Sequence, residues 1–146
     1  MLSFTSGLDP DSGAFAIFVT EKYEYRDKKN ILSNDSVKKI NSFLSILKEK
    51  KRKEDINFFD ISDRQKCFII KVKNKYESYF PQENGGTFFS YIKKFKDINK
   101  VDLYSDSLGF DKDKLVSFFS EFIFGFNLKG YTFNKYKTLR KNKTEV

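Results

Sequence analysis

The side chains that carry most protein chemistry are thinly spread here, and the commonest general base is missing: the sequence contains no histidine. That excludes Ser-His-Asp and Cys-His nucleophilic arrangements and every zinc site that uses an imidazole. The single cysteine, Cys67, cannot supply a thiolate cluster or an internal disulfide. It lies in the apolar stretch Cys67-Phe68-Ile69-Ile70, where a thiol is expected to pack rather than react. Carboxylates gather at Asp9/Asp11, at Asp60/Asp63 and at Asp106/Asp111/Asp113, but none has calcium-loop spacing with a distal Glu. Turns and helix N-caps, where a carboxylate accepts backbone N–H bonds, are the expected places for them. Gly85-Gly86 is neither a P-loop nor a dinucleotide fingerprint and reads as a tight turn opening a helix. No catalytic and no metal-binding residue is therefore assigned to this chain.

What the charges could do is bind. The net charge is +8, and its densest run is Lys48-Glu49-Lys50-Lys51-Arg52-Lys53. Lys48, Lys50, Lys51, Arg52 and Lys53 form the candidate patch for an anionic partner such as DNA, since clustered cations neutralise phosphates and release counterions. A solvated helix end explains the same run, because cations complement a helix C-terminus. Arg26, Arg52, Arg64 and Arg140 are outnumbered by Lys, and Lys, Asn, Ile and Phe are residues that AT-rich codons favour. Composition alone thus accounts for much of the charge.

The elements around these residues follow from hydrophobic period. Leu2–Thr5 is expected to form a short first strand and Leu8–Gly13 a turn. The six apolar residues from Ala14 to Val19 read as a strand buried on both faces, and the polar segment Glu21–Asn30 as a loop. Ser33-Asn34-Asp35 opens a helix whose stripe is Val37, Ile40, Phe43, Leu44 and Leu47. Ile56–Ile61 and Cys67–Val72 read as a hairpin. Lys73–Asn84 reads as a loop, Thr87–Asp97 as a second helix and Val101–Tyr104 as a strand. Asp111 or Asp113 caps a third helix carrying Leu115, Phe118, Phe119, Phe122 and Ile123 as core positions. This alternation predicts an α/β fold of three layers, with a mixed, largely parallel sheet flanked by helices.

No apolar run approaches the roughly 20 residues of a membrane helix. Leu115–Leu128 is broken by Ser117, Ser120, Glu121, Gly125 and Asn127, and no signal peptide is visible at Met1-Leu2-Ser3-Phe4. A cytoplasmic protein without membrane partners is expected, and a lone cysteine suits a reducing compartment.

After the third helix comes Gly125-Phe-Asn-Leu128-Lys-Gly-Tyr131-Thr-Phe133-Asn-Lys-Tyr136-Lys137-Thr138. This resembles the segment that closes the N-terminal domain of leucyl (cytosol) aminopeptidases: a helix, a small residue, a Leu, then Tyr-x-Phe-x-x-Tyr-Lys-Thr. Gly125, Leu128, Tyr131, Phe133, Tyr136, Lys137 and Thr138 stand at matching spacing. Asn134 takes the place of a usual acidic residue, and Val72-Lys73-Asn74 replaces a Gly-Leu-Gly. On its own pattern, Tyr131/Phe133/Tyr136 alternates like an amphipathic strand or extended tail, with its rings buried.

The resemblance implies a macro-domain-like α/β fold and a structural role for the motif. Residues 1–138 would form the N-terminal domain, and 139–146 would begin a linker to a catalytic domain outside this sequence. That domain would hold two divalent metals, zinc or manganese, and release N-terminal amino acids from peptides. The implied partners are the chain's own C-terminal catalytic domain and further copies in a hexamer. A basic DNA-binding module and a macro-like ligand-binding module are the alternatives.

Overall fold

Ala14–Val19, expected to be buried on both faces, forms the central strand of a five-stranded sheet, and every one of its residues is buried. The structure, a computed structural model, describes the backbone at residues 2–4, 13–51, 53–98 and 100–144, and side chains at 13–51, 53–98 and 100–131. The elements in chain order are β1 (Leu2–Phe4), β2 (Ala14–Val19), α1 (Asn34–Glu49), β3 (Ile56–Ser62), β4 (Gln65–Lys71), α2 (Phe80–Ile92), β5 (Val101–Tyr104), a short 3-10 turn (Ser105–Leu108) and α3 (Lys112–Thr144). The strand order is β1-β5-β2-β4-β3. β1, β5, β2 and β4 run parallel, while β3 pairs antiparallel with β4 as the edge-strand hairpin. The α/β class with a mixed, mostly parallel sheet is thus the observed one.

The chain divides into two compact units, residues 1–76 with 96–115 and residues 77–95 with 116–146. The first contains the sheet and α1. Ile40, Leu44 and Leu47 of α1 cluster with Phe15, Ile17 and Val19 of β2 and with Cys67 and Ile69 of β4. Each such Ile, Leu or Phe contributes about 1.5–3 kcal/mol by leaving water. Ser33 caps α1 as its type suggests, accepting from the Ser36 N–H at 3.1 Å, and Lys48 sits in the last turn.

The second unit is built differently. Gly85 of α2 lies so close to α3 that a Cβ there would stand 1.9 Å from the Phe122 carbonyl oxygen. A Cβ on Gly125 of α3 would stand 2.0 Å from the Gln82 carbonyl oxygen. The two helix backbones are thus in contact through reciprocal glycines. Aromatic rings pack beside this crossing: Phe88 lies 6.0 Å from Phe122, and Phe89 meets Phe126 edge-on at 5.2 Å. Among the described residues, Asn84 Oδ1 is a buried side-chain oxygen with no hydrogen-bond partner.

Three expectations are corrected. The second helix spans Phe80–Ile92, so it starts and ends earlier than Thr87–Asp97, and the expected loop Lys73–Asn84 yields its last residues to it. Pro81 occupies the first turn, where its missing N–H costs nothing and its φ is already helical. Gly85-Gly86 accordingly lies inside the helix rather than opening it, and the expected turn does not form there. Third, α3 continues to Thr144, so the backbone of Tyr131–Tyr136 is helical and not extended, and the helix also enters the expected linker 139–146. The turn expected at Leu8–Gly13 lies outside the described residues, apart from Gly13.

Candidate functional site

Where a parallel sheet ends at the carboxyl side of its strands, the connecting loops supply most α/β binding sites. Here that edge carries the β2–α1 loop, residues 20–33, and the 3-10 turn that follows β5. Asp27 organises both. Its carboxylate accepts the Ile31 N–H at 2.9 Å and the Leu32 N–H at 3.0 Å, and the buried Tyr104 hydroxyl donates to it as well. Ser107 ties the strand ends together: it accepts the Phe18 N–H at 2.9 Å, donates to the Tyr104 carbonyl at 2.8 Å, and its own carbonyl accepts the Arg26 N–H at 2.7 Å. Gly109, at φ 69°, closes the turn in the left-handed region, against the Arg26 side chain. Asn30 and Tyr23 hold the loop's two left-handed non-glycine positions, at φ 50° and 60°.

The loop held this way walls a groove along α1. One section, a hollow of about 660 Å³, is lined by Tyr25, Asp27 and Asn30 on the loop side and by Asn34, Val37 and Asn41 on the helix side. A second section shares Tyr25 and Asn41 and runs on to Leu44, Ser45 and Lys48, with Lys22, Tyr23 and Glu24 opposite. The first volume falls in the roughly 300–1,000 Å³ range of small-molecule sites. The Tyr25 hydroxyl donates to Asn41 Oδ1 at 3.1 Å, which leaves the Asn41 amide hydrogens as donors.

The groove offers binding rather than acid–base chemistry. Burial, then the hydrogen bond and charge of Asp27, push the Tyr104 hydroxyl well above its ordinary value, and burial followed by Asp27 raises Tyr25. Both phenols are therefore neutral donors at neutral pH. Asp27 is committed to three donors. Cys67 is fully buried in β4, and burial raises its thiol well above the usual range, which keeps it from acting as a nucleophile.

The expected site residues scatter. Lys48, Lys50, Lys51 and Lys53 are exposed at and beyond the C-terminal end of α1, and Arg52 lies outside the described residues. Lys48 also belongs to the groove, a role its sequence context did not signal. Gly125 is buried at the helix crossing, whereas Leu128 is 51% and Tyr131 66% exposed. The expectation that the motif's rings are buried therefore fails at Tyr131: its helical backbone turns that side chain to solvent. The side chains of Phe133, Tyr136, Lys137 and Thr138 lie outside the described residues. Asp111 accepts the Lys114 N–H at 2.9 Å, as a helix cap should, whereas Asp60 lies within β3, in neither a turn nor a cap, and pairs with the Lys66 ammonium at 2.6 Å. Asp9 and Asp11 are outside the described residues. Sequence reasoning missed the Asp27 hub and the groove; Ser33-Asn34-Asp35 was read only as a helix start.

Among the described residues, no group of three or more His, Cys, Asp or Glu side chains is arranged to hold a metal ion. The two metals implied by the resemblance belong to a domain outside this sequence, and no step is assigned through them. Among those residues no helix is long and apolar enough to cross a membrane. Comparison with protein-family models, with curated proteins and with solved structures returned no match.

Proposed function

We propose that the chain is the accessory, non-catalytic N-terminal domain of a cytoplasmic, metal-dependent leucyl aminopeptidase-type enzyme. The observation that carries the reading is Gly125. The aminopeptidase segment it resembles requires a small residue ahead of its Leu and Tyr positions. Here that residue lies against the Gln82 backbone, where a Cβ would stand at 2.0 Å. The requirement for a small side chain is therefore physical at this position. The α/β fold with its mostly parallel sheet accords with the macro-like domain that the resemblance implies. Leu128 and Tyr131 are motif residues exposed on α3. On this reading they serve the rest of the enzyme.

The division of labour that follows is simple. The catalytic domain, with its zinc or manganese ions, hydrolyses the peptide, and this domain shapes the assembly, a hexamer in the full-length form. The purified 146-residue chain should show no hydrolysis of leucine p-nitroanilide, with manganese or zinc added. Metal-dependent turnover by this chain alone would overturn the reading.

A further inference from the structure

The groove along α1 has a repeat built into it. Asn34, Asn41 and Lys48 stand at seven-residue intervals, and Val37 and Leu44 fall between them at the same interval. All five line the groove. Seven residues of α-helix rise about 10.5 Å. A polyproline II peptide repeats every three residues and rises about 9 Å in doing so. Each turn of such a peptide would therefore meet one polar group of α1, with Val37 and Leu44 as the apolar floor between them.

The chemistry of the lining fits that ligand. A polyproline II chain makes no internal hydrogen bonds, so its carbonyls seek donors. Asn34, Asn41 and Asn30 are carboxamides, each with two donor hydrogens. Tyr25 and Tyr23 wall the opposite side, and aromatic walls are how such peptides are commonly gripped. Positive charge is confined to one end: Lys22 and Lys48 line the second section, with Glu24 beside them, and Lys50, Lys51 and Lys53 follow just beyond, all exposed. The Asn30–Asn34 section has no Lys or Arg in its lining and includes Asp27. A nucleic-acid strand would need cations along its whole backbone, whereas a peptide with an acidic residue at one end needs them only there.

We propose that this groove binds an extended, polyproline II-type peptide segment carrying acidic residues at the end that meets Lys48. The site rests on the first unit alone and is independent of the aminopeptidase reading, so either can fail without the other.

The test is fluorescence polarisation with the full chain and fluorescein-labelled Pro-Pro-Val-Pro-Pro-Val-Pro peptides bearing a Glu-Glu pair at one terminus or the other. Asn41 and Lys48 are exposed, and circular dichroism verifies that their variants keep α1. One Glu-pair peptide should bind saturably below about 1 mM, and its Lys-pair counterpart at least about tenfold more weakly. Asn41→Leu should weaken binding about three- to tenfold by removing the central donor. Lys48→Glu should weaken the Glu-pair peptide and strengthen the Lys-pair one. The proposal is overturned if neither Glu-pair peptide saturates by about 1 mM, or if affinity is unchanged in Asn41→Leu. Tighter binding of an oligo-dT nonamer, displacing the peptide, would assign the groove to nucleic acid instead.

Discussion

The two units of this chain achieve close packing by opposite means. In the first, side chains fill the space: α1 rests on the sheet through Ile40, Leu44 and Leu47, and β2 is buried along its whole length. In the second, side chains are removed so that backbones can meet, at Gly85 against Phe122 and at Gly125 against Gln82. The first kind of packing is damaged by taking atoms away and the second by adding them. The polar loop–helix groove belongs to the side-chain-packed unit, where Asp27 and Ser107 fix its wall. The motif that suggests a parent enzyme belongs to the glycine-packed one.

The largest expected effect is Ile17→Ala, which opens a cavity in the first unit and should cost about 2–5 kcal/mol in urea-induced unfolding. Gly85→Ala makes the complementary attack on the second unit. One added methyl should cost about 1–3 kcal/mol, because backbone rather than a flexible side chain must move. Hydrogen exchange should then report faster opening in residues 77–95 and 116–131, with β2 and β4 still protected. Equal loosening of β2 and β4 would mean that the units do not differ as described.

Alkaline pH should single out the first unit. Tyr104, Tyr25 and Cys67 all have folded-state values raised above those of the unfolded chain. The unfolded chain then releases its protons first, so the stability these groups confer is intact below the unfolded values and falls as pH rises through and beyond about 9–10. Melting temperature followed upward from pH 8 should decline across that range, less steeply in Tyr104→Phe. The smallest effect is a gain. A Cβ on Gly86 meets only ordinary contacts, at 3.6 Å and 3.8 Å, so Gly86→Ala should stabilise α2 by up to about 1 kcal/mol in the same urea titration. The adjacent glycines should therefore respond with opposite signs.

These contrasts also explain what could be read in the sequence. Strands β2, β3, β4 and β5 and helix α1 were legible because burial imposes a period on their apolar residues, and Ser33 marked its cap directly. Helix α2 was misplaced because Pro81 and Gly85-Gly86 are local breakers. Their tolerance depends on a first-turn position and on another helix passing close by, and neither is local information. The alternation of Tyr131, Phe133 and Tyr136 suggested an extended chain, yet the same residues continue α3. Cys67 is the buried thiol its apolar stretch implies, and Lys48, Lys50, Lys51 and Lys53 are exposed at and just beyond the end of α1. The groove escaped notice because Asn34, Asn41 and Lys48 look like ordinary solvent-facing positions until the loop held by Asp27 is brought over them.

The central claim is that this chain is a non-catalytic part of a metallo-aminopeptidase. It is tested most directly by capturing the native polypeptide from its source cells with an antibody to residues 13–131 and measuring both its mass and its hydrolysis of leucine p-nitroanilide with added manganese. The account expects a polypeptide substantially larger than 17.3 kDa that hydrolyses the substrate and loses activity to a chelator. A captured polypeptide of 17.3 kDa with no such activity would contradict it.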